Sequence, residues 1–351
     1  MSFKNCFNIS SIFATLLFFF LLVWLNACTK TDRQKPDVSN INVQINIERF
    51  EKDLFACDTV NYAPCFDALQ KKYPYFYNFY IDNLLGIRQP NDTGRTYQTA
   101  LKSFIGNANL RALYDSVMLK YPDAGQLNAN FTNAFRYCKY YFPNKNVPRI
   151  VTHISEFGPA AATFDTTLLA ISLDMFLGKD FVYYSSIGFP KYVTYRLQPP
   201  FIVPNGMKAW FKALYDTKTS DAKLIDRMVA EGKMLYFLDM VLPDTPDSLK
   251  IGYTAKELQW CFDNEKEMWA FFIERDLLYS SKSLEYMKFI SEGPTTTGMP
   301  PESPGQTGVW MGWQIVRKFM QENPNVSFDQ LMQITDGQEI LKRSKYKPGK
   351  K

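Results

Sequence analysis

The amino-terminal 27 residues decide which part of this chain can build a fold. They carry one charge, Lys4, ahead of the run SIFATLLFFFLLVWLNA, which ends at Ala27. A segment of this kind is typical of an export signal and is left out of the folded domain. An uncleaved membrane helix is the alternative, but the apolar stretch from Ile12 to Leu25 is short for a span of about 20 residues. We therefore predict that residues 1–27 are a signal peptide.

A cysteine follows this segment, in the order Leu25-Asn26-Ala27-Cys28. The leucine three residues before the cysteine and the small residue directly before it resemble the lipobox of bacterial lipoproteins. On that resemblance the chain is cut before Cys28, and Cys28 carries acyl chains such as palmitate, each buried CH₂ adding about 0.8 kcal/mol. Residues 28–40 are polar and contain one proline, so we predict a lipidated tether. No acidic run follows Cys28, which favours a domain that faces the periplasm.

The remaining residues, 41–351, are predicted to form one domain. The sequence is 46% hydrophobic and 16% aromatic, which indicates a large folded core. The formal net charge is +5, and no basic cluster stands out apart from the last ten residues. This charge pattern does not indicate nucleic acid as a partner.

Four cysteines remain besides Cys28, namely Cys57, Cys65, Cys138 and Cys261. An exported chain can oxidise them, and the short spacing of Cys57 and Cys65 permits a bridge. Four ordinary buried thiols fit the sequence equally well. No pair has the CxxC spacing of a metal site, so no metal or cofactor is expected from them.

The order of patterns predicts an α+β fold, predominantly helical with a small β-sheet. Residues 42–55 begin as an alternating strand and turn into a helix. Helical segments are predicted at 64–85, 95–107, 109–121 and 125–143. Residues 148–157 and 161–177 are rich in β-branched side chains and are predicted as two strands joined by a Gly-Pro turn. From Met207 onwards the pattern is helical again.

A glutamate interrupts the apolar stripe of one predicted helix. Glu231 stands in a row with 4-3-4-3-4 spacing, which is the spacing of a buried helix face. The other members of the row are Leu224, Met228, Leu235, Leu238 and Leu242.

A second glutamate lies in the same way on the next long helix. That helix is predicted from Thr254, which forms a capping box with Glu257. Its stripe carries Glu265 among the residues Leu258, Phe262, Trp269, Phe272 and Asp276. Two successive helices thus each direct one carboxylate inward.

Inward carboxylates on two helices are similar to the pattern of HExxH zinc peptidases. Here Ala230 and Met234 stand where both histidines would be, and the single histidine, His153, lies far upstream in a predicted strand. Two carboxylates alone make a poor zinc site, since zinc prefers nitrogen and sulfur ligands. The sequence therefore predicts no HExxH zinc site and no metal.

Three interpretations of the two glutamates stay open. Arg227 lies four residues before Glu231 on the same face, so a structural ion pair is available. Glu231 and Glu265 are otherwise the vestiges of a degenerate active site, or a live acid/base pair. His153 is interpreted as a packed or surface residue.

The C-terminal third contains the helix pattern SPGQTGVWMGWQIVRKFM at 303–320. Gly308 and Gly312 are four residues apart and leave one helix face bare, so we predict that another backbone approaches there. Arg317 is predicted to reach a carboxylate in the core.

Six ordered blocks and the lipobox make the chain resemble the gliding-motility lipoprotein family called GldB. The resemblance covers about residues 41–348. One departure is Gln306, where the family pattern leads us to expect arginine, and this weakens any anion-binding role for that loop. The blocks are INIERFEKDLF, SLDMFLGKDFVYY, MVAEGKMLYFLDMVLP, WCFDNEKEMWAFFIERDLLYSS, SPGQTGVWMGWQIV and ILKRSKYKP.

The resemblance implies a lipoprotein of the bacterial cell envelope, required for gliding or for the secretion machinery coupled to it. It implies other envelope proteins as partners, no cofactor, and a zincin-like fold that lacks the HExxH histidines. The absence of those histidines favours a non-catalytic assembly factor. The alternative is a periplasmic hydrolase of peptides or cell-wall material that uses Glu231 and Glu265.

Overall fold

The computed structural model describes residues 35–90, 92, 96–215 and 222–349. The described residues from Ser39 onwards form one compact unit. The predicted signal peptide, Cys28 and the first part of the predicted tether lie outside the described residues.

A four-stranded mixed sheet stands near the middle of the chain. Its spatial order is β1-β2-β4-β3, with β1, β2 and β4 parallel and β3 antiparallel at one edge. Every residue of β4 is buried, as expected for a parallel strand that is covered on both faces. The strands are β1 (Glu48–Arg49), β2 (Arg149–His153), β3 (Ala161–Phe164) and β4 (Leu168–Ser172).

Helices lie between β1 and β2, where the sequence predicts helical segments. The predicted strand-to-helix transition in 42–55 is confirmed by β1 and the helix that follows it. A π-helical turn at Tyr80–Leu84 extends the third helix. The helices are α1 (Phe50–Phe55), α2 (Tyr62–Lys72), α3 (Pro74–Phe79), α4 (Thr96–Gly106), α5 (Ala108–Lys120) and α6 (Gly125–Tyr141).

The predicted strand over 161–177 is wrong in its extent. It divides into β3 and β4, joined by a tight turn in which Asp165 has φ 51° and its carboxylate accepts from the Thr167 backbone N–H at 2.6 Å. Aspartate tolerates this left-handed conformation because its short side chain bonds its own backbone, and such a turn joins antiparallel strands.

The second half of the chain is helical. These elements are α7 (Val182–Ser186), α8 (Lys191–Thr194), α9 (Ile202–Leu214), α10 (Leu224–Val241), α11 (Asp247–Ile251), α12 (Ala255–Asp263), α13 (Glu265–Glu274), α14 (Ser283–Ile290), α15 (Thr307–Glu322), α16 (Phe328–Gln333) and α17 (Gly337–Ser344).

The helix predicted around Glu231 is confirmed as α10, but it is not a surface amphipathic helix. Residues on most of its sides are buried, including Lys233, whose ammonium donates to the Ile334 carbonyl at 2.6 Å. Helices α15, α17, α9 and α6 all pack against it. The reason is that α10 crosses the centre of the helical half, where neighbours surround it.

Two glycines let α10 and α15 approach at backbone distance, as the bare face of α15 predicts. A Cβ on Gly312 would lie 1.8 Å from the Met228 carbonyl oxygen, and one on Gly232 would lie 2.4 Å from the Gly312 oxygen. Gly308 meets a different neighbour, the Phe289 backbone, at 2.9 Å. The crossing of the two central helices therefore depends on Gly232 and Gly312.

Of the four cysteines, two form a disulfide and two are buried thiols, so each interpretation of the sequence holds for two of them. Cys57 and Cys65 form a disulfide with a Cα–Cα distance of 5.8 Å, which links the end of α1 to α2. Cys138 and Cys261 are free, buried thiols.

Candidate functional site

Glu231 stands apart from the stripe that contains it. Met228 and Leu235 are almost completely buried, whereas Glu231 is only half-buried. Its carboxylate favours the charged form of Lys208, on the neighbouring helix α9, against the larger effect of burial. The predicted pairing of Arg227 with Glu231 stays a prediction, and Lys208 is a further cation on which the Glu231 carboxylate acts.

Lys208 is the charged residue at this site that sequence reasoning missed. Its pKa is lowered to about 8, chiefly by burial and also by repulsion from Arg196, while Glu231 and Glu292 act in the opposite direction. Its ammonium makes no hydrogen bond or ion pair with the described residues. A signal was available, because Lys208 follows Met207 and precedes Trp210 and Phe211, all three of which are buried.

A cavity of about 320 Å³ lies beside this group of charges, and Arg196 belongs to both. We call the cavity the cleft. Three tyrosine rings, three glycines and two cationic side chains form most of its lining, which is a composition typical of small ligand sites. The lining residues are Lys191, Tyr192, Tyr195, Arg196, Gly252, Tyr253, Thr254, Glu257, Gly293, Pro294 and Gly305.

Hydrogen bonds between distant parts of the chain fix the walls of the cleft. Arg196 donates its Nε to the Gly252 carbonyl at 3.0 Å and its Nη1 to Glu292 at 2.6 Å. The Tyr253 hydroxyl donates to the Gly305 carbonyl at 2.6 Å. The predicted capping box of Thr254 is confirmed, with Oγ1 accepting from the third residue of α12. The cleft is therefore a preformed feature.

Glycines are required where two loops of the cleft touch. A Cβ on Gly305 would lie 2.3 Å from the Gly293 carbonyl oxygen, and Gly252 has φ +93°. Gln306, which follows Gly305, has φ 59° and precedes α15 without a side-chain capping bond. Gln306 thus turns the chain into α15.

Glu265 occupies a different environment from Glu231. The single helix predicted over 254–276 is wrong, because it breaks at Asn264 into α12 and α13. Glu265 is the first residue of α13, and its carboxylate accepts from the Tyr346 hydroxyl at 2.6 Å. Phe262, predicted to be buried, is 44% exposed. Burial and the Glu265 carboxylate raise the pKa of Tyr346.

Ordinary packing residues occupy the two positions where an HExxH site carries its zinc-binding histidines. Ala230 is half-buried, and Met234 is buried. Within the described ranges no three His, Cys, Asp or Glu side chains are grouped so that they could hold a metal ion.

Two carboxyl groups that sequence reasoning did not single out are fully buried beside the sheet. Burial raises the pKa of Asp174, although the Phe157 and Ser155 backbone N–H groups donate to it at 2.7 and 3.2 Å. Burial also raises the pKa of Glu51, which pairs with Arg49. Asp174 fixes local backbone and Glu51 is bonded by neighbouring side chains, so we interpret both as structural.

His153 ends β2 and is completely buried, as expected for a packed histidine. Its ring centroid lies 5.8 Å from that of Phe76 and 5.7 Å from that of Tyr80. Neither ring nitrogen has a hydrogen-bond partner in the described part of the chain, although the nearby Ile154 carbonyl partly favours the charged form. Burial lowers the pKa of His153 to about 3.

The buried imidazole predicts a defined loss of stability in acid. A folded-state pKa of about 3 against an ordinary value of 6.5 means that the unfolded chain binds the proton first. The free energy of unfolding therefore falls as the pH drops below 6.5, by up to about 1.4 kcal/mol per pH unit. His153→Leu, which cannot be protonated, removes this contribution.

Urea unfolding of wild type and His153→Leu at pH 6.5 and pH 4.5 measures this effect. We expect wild type to lose about 2–3 kcal/mol more than the variant, because the carboxylates shared by both proteins cancel in the difference. Equal losses in the two proteins would contradict a neutral, buried His153.

Comparison with known proteins gives one match. Residues 31–348 match the model of the family described as gliding motility protein GldB. No curated protein and no solved structure matches the chain.

Proposed function

This chain belongs to the family of the gliding motility protein GldB, and from that premise we propose that it is a non-catalytic assembly factor of the bacterial envelope. It acts in gliding or in the secretion machinery coupled to gliding, and its partners are other envelope proteins of that machinery. The observation that carries the proposal is the extent of the family match, which takes in residues 31–348.

The state of the two glutamates supports a non-catalytic role. Glu231 stabilises the charge on Lys208, and Glu265 accepts a hydrogen bond from Tyr346. Ala230 and Met234 supply no ligand atoms at the positions where a zinc peptidase carries histidines. The mixed sheet and the buried helix that carries the Ala-Glu-Gly-Lys-Met pattern fit a degenerate zincin-like ancestry, which we include in the proposal.

A hydrolase is the second candidate, and one observation favours it. Glu231 and Lys208 lie beside a preformed cleft, and a lysine with a pKa of about 8 is suited to proton transfer near neutral pH. Against it, the Glu265 carboxylate is engaged by the hydroxyl of Tyr346, which follows α17.

A lipid on Cys28 is the proposed attachment to the membrane, with the domain facing the periplasm. The lipobox-like order Leu25-Asn26-Ala27-Cys28 supports it, as does the lipoprotein character of the family. In the part of the chain that the structure describes, no helix combines the length and the apolar character needed for a membrane crossing.

Cys28→Ser is expected to abolish lipidation, because the sulfur of the cysteine is the atom to which the lipid is attached. Metabolic labelling with a clickable fatty acid, followed by immunoprecipitation, measures it. Cys6→Ser is the matched control, since Cys6 lies in the predicted signal peptide and should leave the label unchanged. Label retained in Cys28→Ser would overturn the anchor.

Affinity isolation from native membranes tests the assembly role. The tagged lipoprotein, solubilised in mild detergent, is expected to bring down a reproducible set of envelope proteins. A chain that is repeatedly isolated alone, while still folded and lipidated, would contradict the proposed role.

A further inference from the structure

A short surface segment next to the cleft exposes three large apolar side chains. Val182 is 64% exposed, Ile187 is 48% exposed and Tyr183 is 37% exposed. Single exposed apolar residues are normal on protein surfaces, but a cluster of them marks an interaction site. We call residues 181–189 the apolar segment.

The backbone of the apolar segment is held from below. Tyr184 is fully buried, and its hydroxyl donates to the Asp174 carbonyl at 2.6 Å and accepts from the Leu177 N–H at 3.0 Å. The rings of Phe181 and Phe157 contact the Tyr184 ring, with centroids 5.2 and 5.7 Å away. The exposed side chains are therefore presented by a fixed backbone, which lowers the entropic cost of binding.

The apolar segment leads directly into the wall of the cleft. After Pro190 the chain enters α8, where Lys191 and Tyr192 line the cleft, followed by Tyr195 and Arg196. One stretch of backbone thus presents an apolar surface and then a concave site. A ligand that follows this stretch would contact both.

Most polar groups of the cleft are already engaged within the protein. Arg196, Tyr253 and Thr254 make the internal hydrogen bonds described above. The groups that make no hydrogen bond with described residues are the Lys191 ammonium and the hydroxyls of Tyr192 and Tyr195. One cation with two neighbouring hydroxyl donors suits a carboxylate, and charge-assisted hydrogen bonds of this type are the stronger ones.

We propose that the cleft and the apolar segment together bind a carboxylate-bearing peptide segment of a partner protein. The carboxylate lies beside Lys191, and apolar side chains of the peptide pack on Val182 and Ile187. This deepens the assembly role and rests on it for the expectation that the ligand belongs to another protein. A bilayer surface fits less well, because it cannot enter a concave site.

The test uses full-length mature lipoprotein in detergent and three fluorescent peptide probes. The first is dye-Gly-Leu-Tyr-Phe with a free C-terminal carboxylate, the second is its C-terminal amide, and the third is the amide with aspartate in place of glycine. Fluorescence anisotropy titration gives the affinity of each probe. The second and third probes separate a terminal carboxylate from an acidic side chain as the source of the charge.

We expect one of the carboxylate probes to bind about tenfold or more tightly than the uncharged amide, the factor that one good charged contact supplies. Lys191→Gln should remove that preference, and Ile187→Ser should weaken the carboxylate probe and the amide by the same factor. Lys179→Gln is the control, since Lys179 is an exposed lysine outside the cleft lining.

Several outcomes would overturn the proposal. They are equal affinity for charged and uncharged probes, no saturable binding in the millimolar range, and an unchanged carboxylate preference in Lys191→Gln. Vesicle binding that is lost in Ile187→Ser, without peptide binding, would assign the segment to lipid. The titration measures peptide binding to the cleft alone. Its failure is therefore distinguishable from a failed affinity isolation, which concerns the assembly role.

Discussion

Gly312→Ala is expected to destabilise the domain by several kcal/mol or to prevent its folding. The added Cβ would lie 1.8 Å from the Met228 carbonyl oxygen, a distance that no pair of non-bonded atoms adopts. Met228 belongs to the backbone of α10, so no rotation of a side chain relieves the contact, and α10 and α15 must separate. Overpacking in a core costs about 1–3 kcal/mol even where side chains can adjust, and backbone against backbone is the severe case.

Gly106→Ala is the matched control for this prediction. Gly106 ends α4, and a Cβ there meets the Thr59 methyl group at an ordinary 3.5 Å. Alanine also has the better helix propensity, so the control should be neutral or stabilised by up to about 1 kcal/mol. Urea unfolding of both variants measures the difference. Similar stability of the two variants would mean that α10 and α15 do not touch at Gly312.

Arg317→Met is expected to cost about 2–4 kcal/mol. The guanidinium donates to Asp239 and Asp247 at 2.7–2.9 Å and stacks on Trp313 at 3.8 Å. Burial opposes its charge, but these hydrogen bonds raise the pKa of Arg317 overall. Methionine keeps much of the volume and leaves two neighbouring carboxylates that, among the described residues, share a single cation, Lys250.

The expected magnitude follows from partial burial. Removing one member of a fully buried pair costs about 3–5 kcal/mol, and we reduce this because Arg317 is 27% exposed. Arg343→Met is the control, since Arg343 pairs with Glu339 at 2.8 Å and stacks on Phe319, but at the surface. The control should lose about 1 kcal/mol or less. Thermal or urea unfolding measures the free energy of unfolding of both variants. Equal losses in Arg317→Met and Arg343→Met would show that the Arg317 network adds nothing beyond a surface pair.

Local patterns explain what could be predicted from this sequence. Helix α10 and the capping box at Thr254 follow from periodicity and from side-chain chemistry within one turn. The close approach at Gly312 follows from the missing Cβ on one face of α15. The contact of Arg317 with a core carboxylate is confirmed, although the sequence could not say that two aspartates on different helices share it.

Long-range geometry explains what could not be predicted. The break at Asn264 puts Glu265 at the start of a new helix, and a stripe extrapolated through it fails. The charges of Lys208 and Glu231 act on each other because α9 and α10 pack side by side, so no spacing rule reveals that interaction. The cleft brings Tyr195 together with Gly305, and that contact depends on the tertiary fold.

Gliding in a strain that carries only Glu231→Gln tests the proposed role as a non-catalytic envelope factor. Because Glu231 is only half-buried, the loss of its charge should cost about 1 kcal/mol or less and lower the pKa of Lys208 below about 8. Glu267→Gln, an exposed glutamate on α13, is the control for charge removal. We predict that colonies of both variants spread as the wild type does at a temperature where melting curves show a folded protein. A folded, lipidated Glu231→Gln protein that abolishes spreading, while Glu267→Gln does not, would contradict the non-catalytic role and favour the hydrolase.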